Sequence, residues 1–305
     1  MMSAALLTRP LWVRILAVLL ALLGTSVAPG AAWAAAWKSG VRNNTYTNSF
    51  VSWRGTPASV VSGWIEWKNG WPGMYAYVSG PQPRSLRAKS ANVTLAHGLF
   101  PQGGNLAACA SGQYDDAQRQ VASRLAANGG GDAEIRLGWE ASGDWYPWTA
   151  AGKPADQWKT CFTRVAKAMK SAAPNLRIGW FMAKKGRVDV RTIYPADAPI
   201  TNIGLSFYDD DQARFGDETF MGGPWGLRSW LAFAKSKGKK LAFGEWGVGR
   251  AGDNPVFIQK MHDWIAAHNV AYHNYWDYNA PDFKAQLSNN QFPKAAAKYK
   301  ALFGP

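Results

Sequence analysis

Two apolar rhythms alternate along this chain. In one, a short and nearly unbroken apolar run stands between turn residues. In the other, apolar side chains recur every three or four positions. The short runs read as strands, and several of them as strands covered on both faces, as in a parallel sheet. They are Lys38–Val41, Ser59–Ile65, Asn92–Leu99, Ala133–Glu140, Leu176–Phe181, Ile200–Phe207, Lys240–Glu245 and Val270–Tyr275. The spaced patterns read as helices. Asp115–Asn128 has Ala117, Val121 and Leu125 on one stripe and Gly129 as a stop, and Ala155–Ala172 has Trp158, Phe162, Val165 and Met169. Pro224–Lys237 runs to Gly238, Asn254 caps a helix that opens on Pro255 and reaches about His268, and Lys294–Leu302 closes the chain. Eight strands alternating with helices predict a (β/α)8 TIM barrel, with short helices in its first two units.

Residues 1–34 stand apart from this pattern. Arg9 and Arg14 give a positive end, Ile15 to Leu23 an apolar core, and Ala32-Trp33-Ala34 a small-x-small cleavage site, which together predict a signal peptide. The apolar run is short for a membrane span, so an uncleaved anchor is the weaker alternative. The rest of the protein is expected outside the cytoplasm, secreted or periplasmic, with no stable membrane insertion. Residues 35–305 contain no linker, charge run or short repeat and are read as one monomeric domain.

Charge changes this picture little. Lys and Arg outnumber Asp and Glu 34 to 20, for a net charge of +14. The basic residues are scattered, with no basic helix or recognition module, which argues against nucleic acid. Four dispersed histidines show no metal-site spacing, and the acidic run Asp209-Asp210-Asp211 reads as a solvated loop rather than a cation site. No metal or cofactor is expected. Cys109 lies just before one helix and Cys161 on the apolar face of the next. Consecutive barrel helices are neighbours, so the two can form a disulfide worth about 4 kcal/mol; two separate buried thiols are the alternative.

The stretch Ala133–Trp148 carries candidate chemistry: an apolar strand ends in Glu140 and opens onto Trp145, Tyr146 and Trp148. By strand alternation Arg136, Gly138 and Glu140 share one face. A buried charge needs a partner or a task. Leu241-Ala242-Phe243-Gly244-Glu245-Trp246 repeats the logic. The other strand ends contribute Trp64 and Glu66, His97, Trp180, Tyr208, and Trp276 with Asp277. Barrel active sites sit at those ends. Carboxylates among flat aromatic faces are what glycosidic bond cleavage requires.

Arg136, Glu140, Gly143, Trp145 and Trp148 resemble the fourth-strand acid/base motif of glycoside hydrolase family 26, in the clan of retaining (β/α)8 glycosidases. The stretch around Glu245 resembles that clan's seventh-strand nucleophile motif. The resemblance implies an O-glycosyl hydrolase, an endo-acting β-glycanase on a β-mannan, a β-glucan or a bacterial exopolysaccharide. Glu140 would be its acid/base, Glu245 its nucleophile and Tyr208 the donor that bonds the nucleophile, although Tyr208 also fits a core tyrosine. Arg136 would help keep Glu245 ionised. Two departures stand out. Trp139 occupies the place where the family usually has His, and Ser142 a place where it tends to have Asn; both bear on substrate contacts.

Trp145, Trp148 and Trp276 are the candidate sugar-stacking rings. Arg136, Trp139, Trp180 and His97 complete the expected substrate-binding set, with a satisfied interior histidine as the alternative for His97. Trp158, Trp230 and Trp264 fit helix packing instead. A glycan-binding barrel without turnover is the rival reading.

Overall fold

A computed structural model describes residues 38–42, 47–184, 186–209, 226–281 and 284–305. The expected leader at 1–34 lies outside them, as do Asp210 and Asp211. Eight parallel strands close into a barrel in sequence order. They are β1 (Lys38–Arg42), β2 (Val60–Trp64), β3 (Val93–His97), β4 (Glu134–Leu137), β5 (Arg177–Ala183), β6 (Ile200–Asp209), β7 (Lys240–Val248) and β8 (Tyr272–Tyr275), with β8 pairing back onto β1. The architecture is a (β/α)8 TIM barrel.

Helices cover the outside. They are α1 (Thr47–Arg54), α2 (Gly70–Ser79), α3 (Gln82–Lys89), α4 (Leu106–Ser111), α5 (Asp115–Leu125), α6 (Ala155–Ala172), α7 (Leu227–Ser236), α8 (Pro255–His268) and α9 (Pro293–Phe303). Their apolar stripes explain them. In α6, Trp158, Phe162, Val165 and Met169 are buried, Asp156 sits in the first turn and Lys170 in the last, where the helix dipole favours each. In α8 the Asn254 side chain accepts from the Val256 and Phe257 amides, and Pro255 starts the helix without wasting a donor. Cys109 on α4 and Cys161 on α6 form a disulfide with Cα atoms 5.1 Å apart.

The barrel interior is filled by exchanging bulk between strands. Phe181 on β5 occupies the middle because Gly179, Gly204 and Gly244 surround it; a Cβ on Gly204 would lie 2.0 Å from its ring. Below it, at the start of β4, Glu134 is fully buried, accepts from Asn202 Nδ2 at 3.1 Å on each oxygen and lies 3.9 Å from Arg177 Nη1.

Two strands depart from the predicted limits, and both departures shape the site. β4 stops at Leu137 rather than Glu140, and Gly138 leaves it with φ at 55°. Strand alternation therefore does not place Glu140; a turn does. β7 runs past Glu245 to Val248 and carries an extra residue: Leu205 and Ser206 face Phe243 and Glu245, while His273 and Tyr275 face Phe243 and Trp246. This bulge lets Phe243 and Trp246, three positions apart, both pack on the helix layer against Trp264 and Phe257. It also turns Gly244 and Glu245 together toward the interior.

Candidate active site

Glu245 is 7% exposed and each of its oxygens is held. Arg136 Nη1 on β4 donates to Oε1 at 2.8 Å, and the Tyr208 hydroxyl on β6 donates to Oε2 at 3.0 Å. Arg136 is itself anchored by Ser62 Oγ at 2.8 Å, from β2. Three strands thus converge on one carboxylate. The Tyr208 hydroxyl is held well above its ordinary pKa by burial and by the charges of Glu245 and Glu140, so it remains a donor.

Glu140 sits on a strained turn. Its φ of 57° is rare for a residue with a Cβ and costs about 1–2 kcal/mol. The turn is fixed by backbone hydrogen bonds from Gly138 N to His97 O on β3, from Glu140 N to Phe181 O on β5, and, within the turn, from Gly143 N to Glu140 O. The side chain is partly exposed at the mouth of the barrel, where Trp145 Nε1 donates to Oε2 at 3.0 Å. Ser206 on β6 also bonds it. Burial raises the Glu140 pKa to about 7, and the negative charge of Glu245 adds to the rise. Two carboxyl groups of the same type therefore sit in different surroundings: Glu245 accepts from a guanidinium and a hydroxyl, whereas Glu140 is held protonated to a higher pH by burial and by its acidic neighbour.

Several of the expected substrate contacts are corrected by burial. Trp148 is fully buried: its ring lies against Gly98, where a Cβ would be 2.5 Å away, and its Nε1 donates to Trp139 O. It supports the Glu140 turn from beneath and offers no face to a sugar. Trp139 is only 5% exposed and packs on Tyr146 and Trp148, with ring centroids 4.6 Å away in each case. The single indole donor at that position bonds Tyr146. Trp180 points outward to Tyr194, Trp230 and Phe233. His97 also faces the helices, bonded to Gln118 at 2.8 Å, with burial lowering its pKa to about 4. It is an interior histidine bonded through Nε2, with Nδ1 buried and without a hydrogen-bond partner among the described residues. Arg136 lies beneath Glu245 at 1% exposure, as a support for that carboxylate rather than a ligand for sugar.

Other residues at strand ends are structural as well. Glu66 ties the turn before α2, accepting from the amides of Lys68 and Asn69. Asp277 binds the Leu287 and Ser288 amides. Asp209 is buried and accepts from Asn254 Nδ2, which corrects the expectation that it faces water. Ser142 links its loop to β5 by bonds to both the amide and the carbonyl of Ala183. Among the described residues no cluster of three or more His, Cys, Asp or Glu side chains is placed to hold a metal ion, and no helix is long and apolar enough to cross a membrane.

What remains at the mouth is Trp145, 52% exposed, and a partly exposed group around Trp276. Trp276 stacks near Trp64 with centroids 6.0 Å apart and meets Tyr208 edge-on. The Arg42 guanidinium lies 4.2 Å from the Trp64 ring centre, 4.5 Å from Trp276 and 3.7 Å from Tyr278. Burial lowers its pKa to about 10. Sequence reading missed Arg42, because the apolar pattern ends the first strand at Val41. It also missed Ser62 and Ser206, whose roles depend on which face of their strands points inward.

No family model matches the chain, and no curated protein sequence matches it significantly. Solved structures do match. A modular endo-β-1,4-mannanase of glycoside hydrolase family 26 from Cellulomonas fimi is 20% identical with a TM-score of 0.65, over 86% of this chain and 70% of that one. The family 26 endo-β-1,4-mannanase catalytic domain of Bacillus sp. JAMB-750 is 15% identical with a TM-score of 0.65, over 88% and 87%. GH26C from Muricauda sp. MAR_2010_75 is 13% identical with a TM-score of 0.65, over 88% and 85%. At these identities the likeness is one of fold: the chain has the barrel of the family 26 mannanases.

Proposed function

We propose that this protein is an exported glycoside hydrolase that cleaves a β-linked polysaccharide with retention of configuration. The observation that carries the proposal is the pair of glutamates at one barrel mouth in opposed environments, Glu245 bonded by Arg136 and Tyr208 and Glu140 held with its pKa near 7. Glu140 protonates the departing glycosidic oxygen while Glu245 bonds the anomeric carbon. Glu140 then takes a proton from the water that releases the sugar. Trp145 and Trp276 offer ring faces to the polymer, and the reaction runs on the two carboxyl groups and water. The strained backbone at Glu140 favours this reading over a glycan-binding barrel without turnover, which has no need of a costly acid geometry.

The substrate is a β-mannan, a β-glucan or a bacterial exopolysaccharide. The family 26 mannanase fold puts β-mannan first for testing, with endo attack. Residues 1–34 are removed on export, leaving a monomer that begins near Ala35. The decisive experiment incubates the mature protein with a panel of these polymers and follows the anomeric configuration of the first product by NMR. Retained product from any of them supports the mechanism; inverted product overturns it, and no turnover on any overturns the activity. Mass spectrometry of secreted material should show a start near Ala35, and an intact leader would refute processing.

A further inference from the structure

The hydrogen bond from Trp145 to Glu140 stands out because of where the indole sits. A tryptophan that is 52% exposed usually points its N–H at water, yet this one turns it inward to Glu140 Oε2 at 3.0 Å. The ring lies flat over Gly143, where a Cβ would come within 2.4 Å of it. Gly143 is also tied to the Glu140 carbonyl through its amide, so the ring, its seat and the carboxyl belong to one short turn. Trp139, next to Glu140, spends its own N–H on Tyr146 and leaves this donor task to Trp145.

We propose that Trp145 is a positioning residue for Glu140: its N–H clamps Oε2, leaves Oε1 as the oxygen that carries the proton, and stabilises the carboxylate that forms when that proton leaves. The proposal rests on the assignment of Glu140 as the acid. In that step the Oε1 proton passes to the glycosidic oxygen, the bond from that oxygen to the anomeric carbon breaks, and Glu245 bonds the carbon. Charge appears on Glu140 as its proton departs, and a donor already in place stabilises it without reorganising. The other groups around Glu140 are Glu245 on β7, Arg136 on β4, and the hydroxyls of Ser206, Tyr208 and Tyr146. Burial and Glu245 hold the proton on, whereas Ser206, Trp145 and Arg136 favour its loss.

The test is Trp145→Phe, which keeps an aromatic ring in the turn and removes the N–H with part of the indole's area; lost cover alone would lower the Glu140 midpoint, whereas the lost donor raises it. In protein labelled with 13C at the glutamate carboxyls, the Glu140 signal is identified by its loss in Glu140→Gln. Its titration midpoint should move up by about one pH unit in Trp145→Phe. An unmoved or lowered midpoint overturns the proposal. In kinetics, the alkaline limb of kcat/KM should move up with the midpoint. The variant's rate should also fall more for substrates with poor leaving groups than for activated aryl glycosides, on the order of tenfold more. A ring that served only packing would lower rates without moving the limb. If the midpoint moves while the limb stays fixed, the clamp stands and the assignment of Glu140 as the acid falls. If the wild type turns over nothing, the activity is refuted and the titration alone decides the clamp.

Discussion

Glu140 and Glu245 follow strands that read almost alike, Gly-Trp-Glu in one and Gly-Glu-Trp in the other, but the barrel treats them differently. Glu245 remains within the sheet, on a bulge of β7, where β4 and β6 reach it with a guanidinium and a hydroxyl. Glu140 has left the sheet and sits on a strained turn, facing an indole and a serine and no direct cation. Opposite roles need opposite environments. The Glu245 carboxyl is held by side chains from two other strands, whereas the Glu140 turn is held by backbone bonds to β3 and β5 and its carboxyl by Ser206 and by one indole of its own loop. Both carboxyl groups depend on distant strands, but only Glu140 also takes a hydrogen bond from a side chain of its own loop.

The largest test of this contrast is chemical. Glu245→Ala should lower turnover on the order of 10^4-fold, and added azide should restore part of it with inverted product. Glu140→Ala should spare activated leaving groups, and azide should then give product of retained configuration. Exchange of these two rescue patterns would swap the roles. Next comes the support of Glu245. Arg136→Met leaves that buried carboxylate without its cation and should destabilise the fold by about 3–5 kcal/mol, read by chemical denaturation. A loss below about 1 kcal/mol would show that the carboxylate does not depend on β4.

The Glu140 turn also rests on an apolar ring of its own loop. Trp148→Ala removes the ring beneath its turn and should cost about 3–5 kcal/mol, again by denaturation. Trp145→Ala, on the exposed side of the same turn, should cost less than about 1 kcal/mol while weakening polymer binding. Equal losses from the two would erase the distinction between floor and rim.

A smaller effect is visible in pH. The folded protein keeps the Glu140 proton to about pH 7, against the ordinary value of 4.5. The folded state then binds more protons than the unfolded chain between those values, so stability should fall as pH rises from about 4.5 to about 7, by up to about 3 kcal/mol. Glu140→Gln should flatten that slope. An unchanged slope would assign it to another group, such as Glu134, whose pKa burial also raises.

Much of this protein is determined by its sequence alone. Apolar runs spaced by amphipathic stripes specify eight strands and their covering helices, because burial on both faces and burial on one face demand different periodicities. The stripe of α6 gives that helix its observed limits, Ala155–Ala172, and Asn254-Pro255 marks the start of α8 through a local cap. Glu140 and Glu245 were legible as candidates because a carboxylate directly after an apolar strand is costly without a purpose. Tertiary structure alone decided which side chains face the mouth. The bulge at Gly244 reverses the alternation on β7, and the early end of β4 hands Glu140 to a turn; neither follows from the period of two. The tryptophans show the limit most clearly. Trp145 and Trp148 are three positions apart on one loop and chemically identical, yet one is half in solvent and the other fully enclosed by Gly98, Trp67 and Trp139. Exposure is set by what distant segments bring against a residue, and the composition of its own segment carries no record of them.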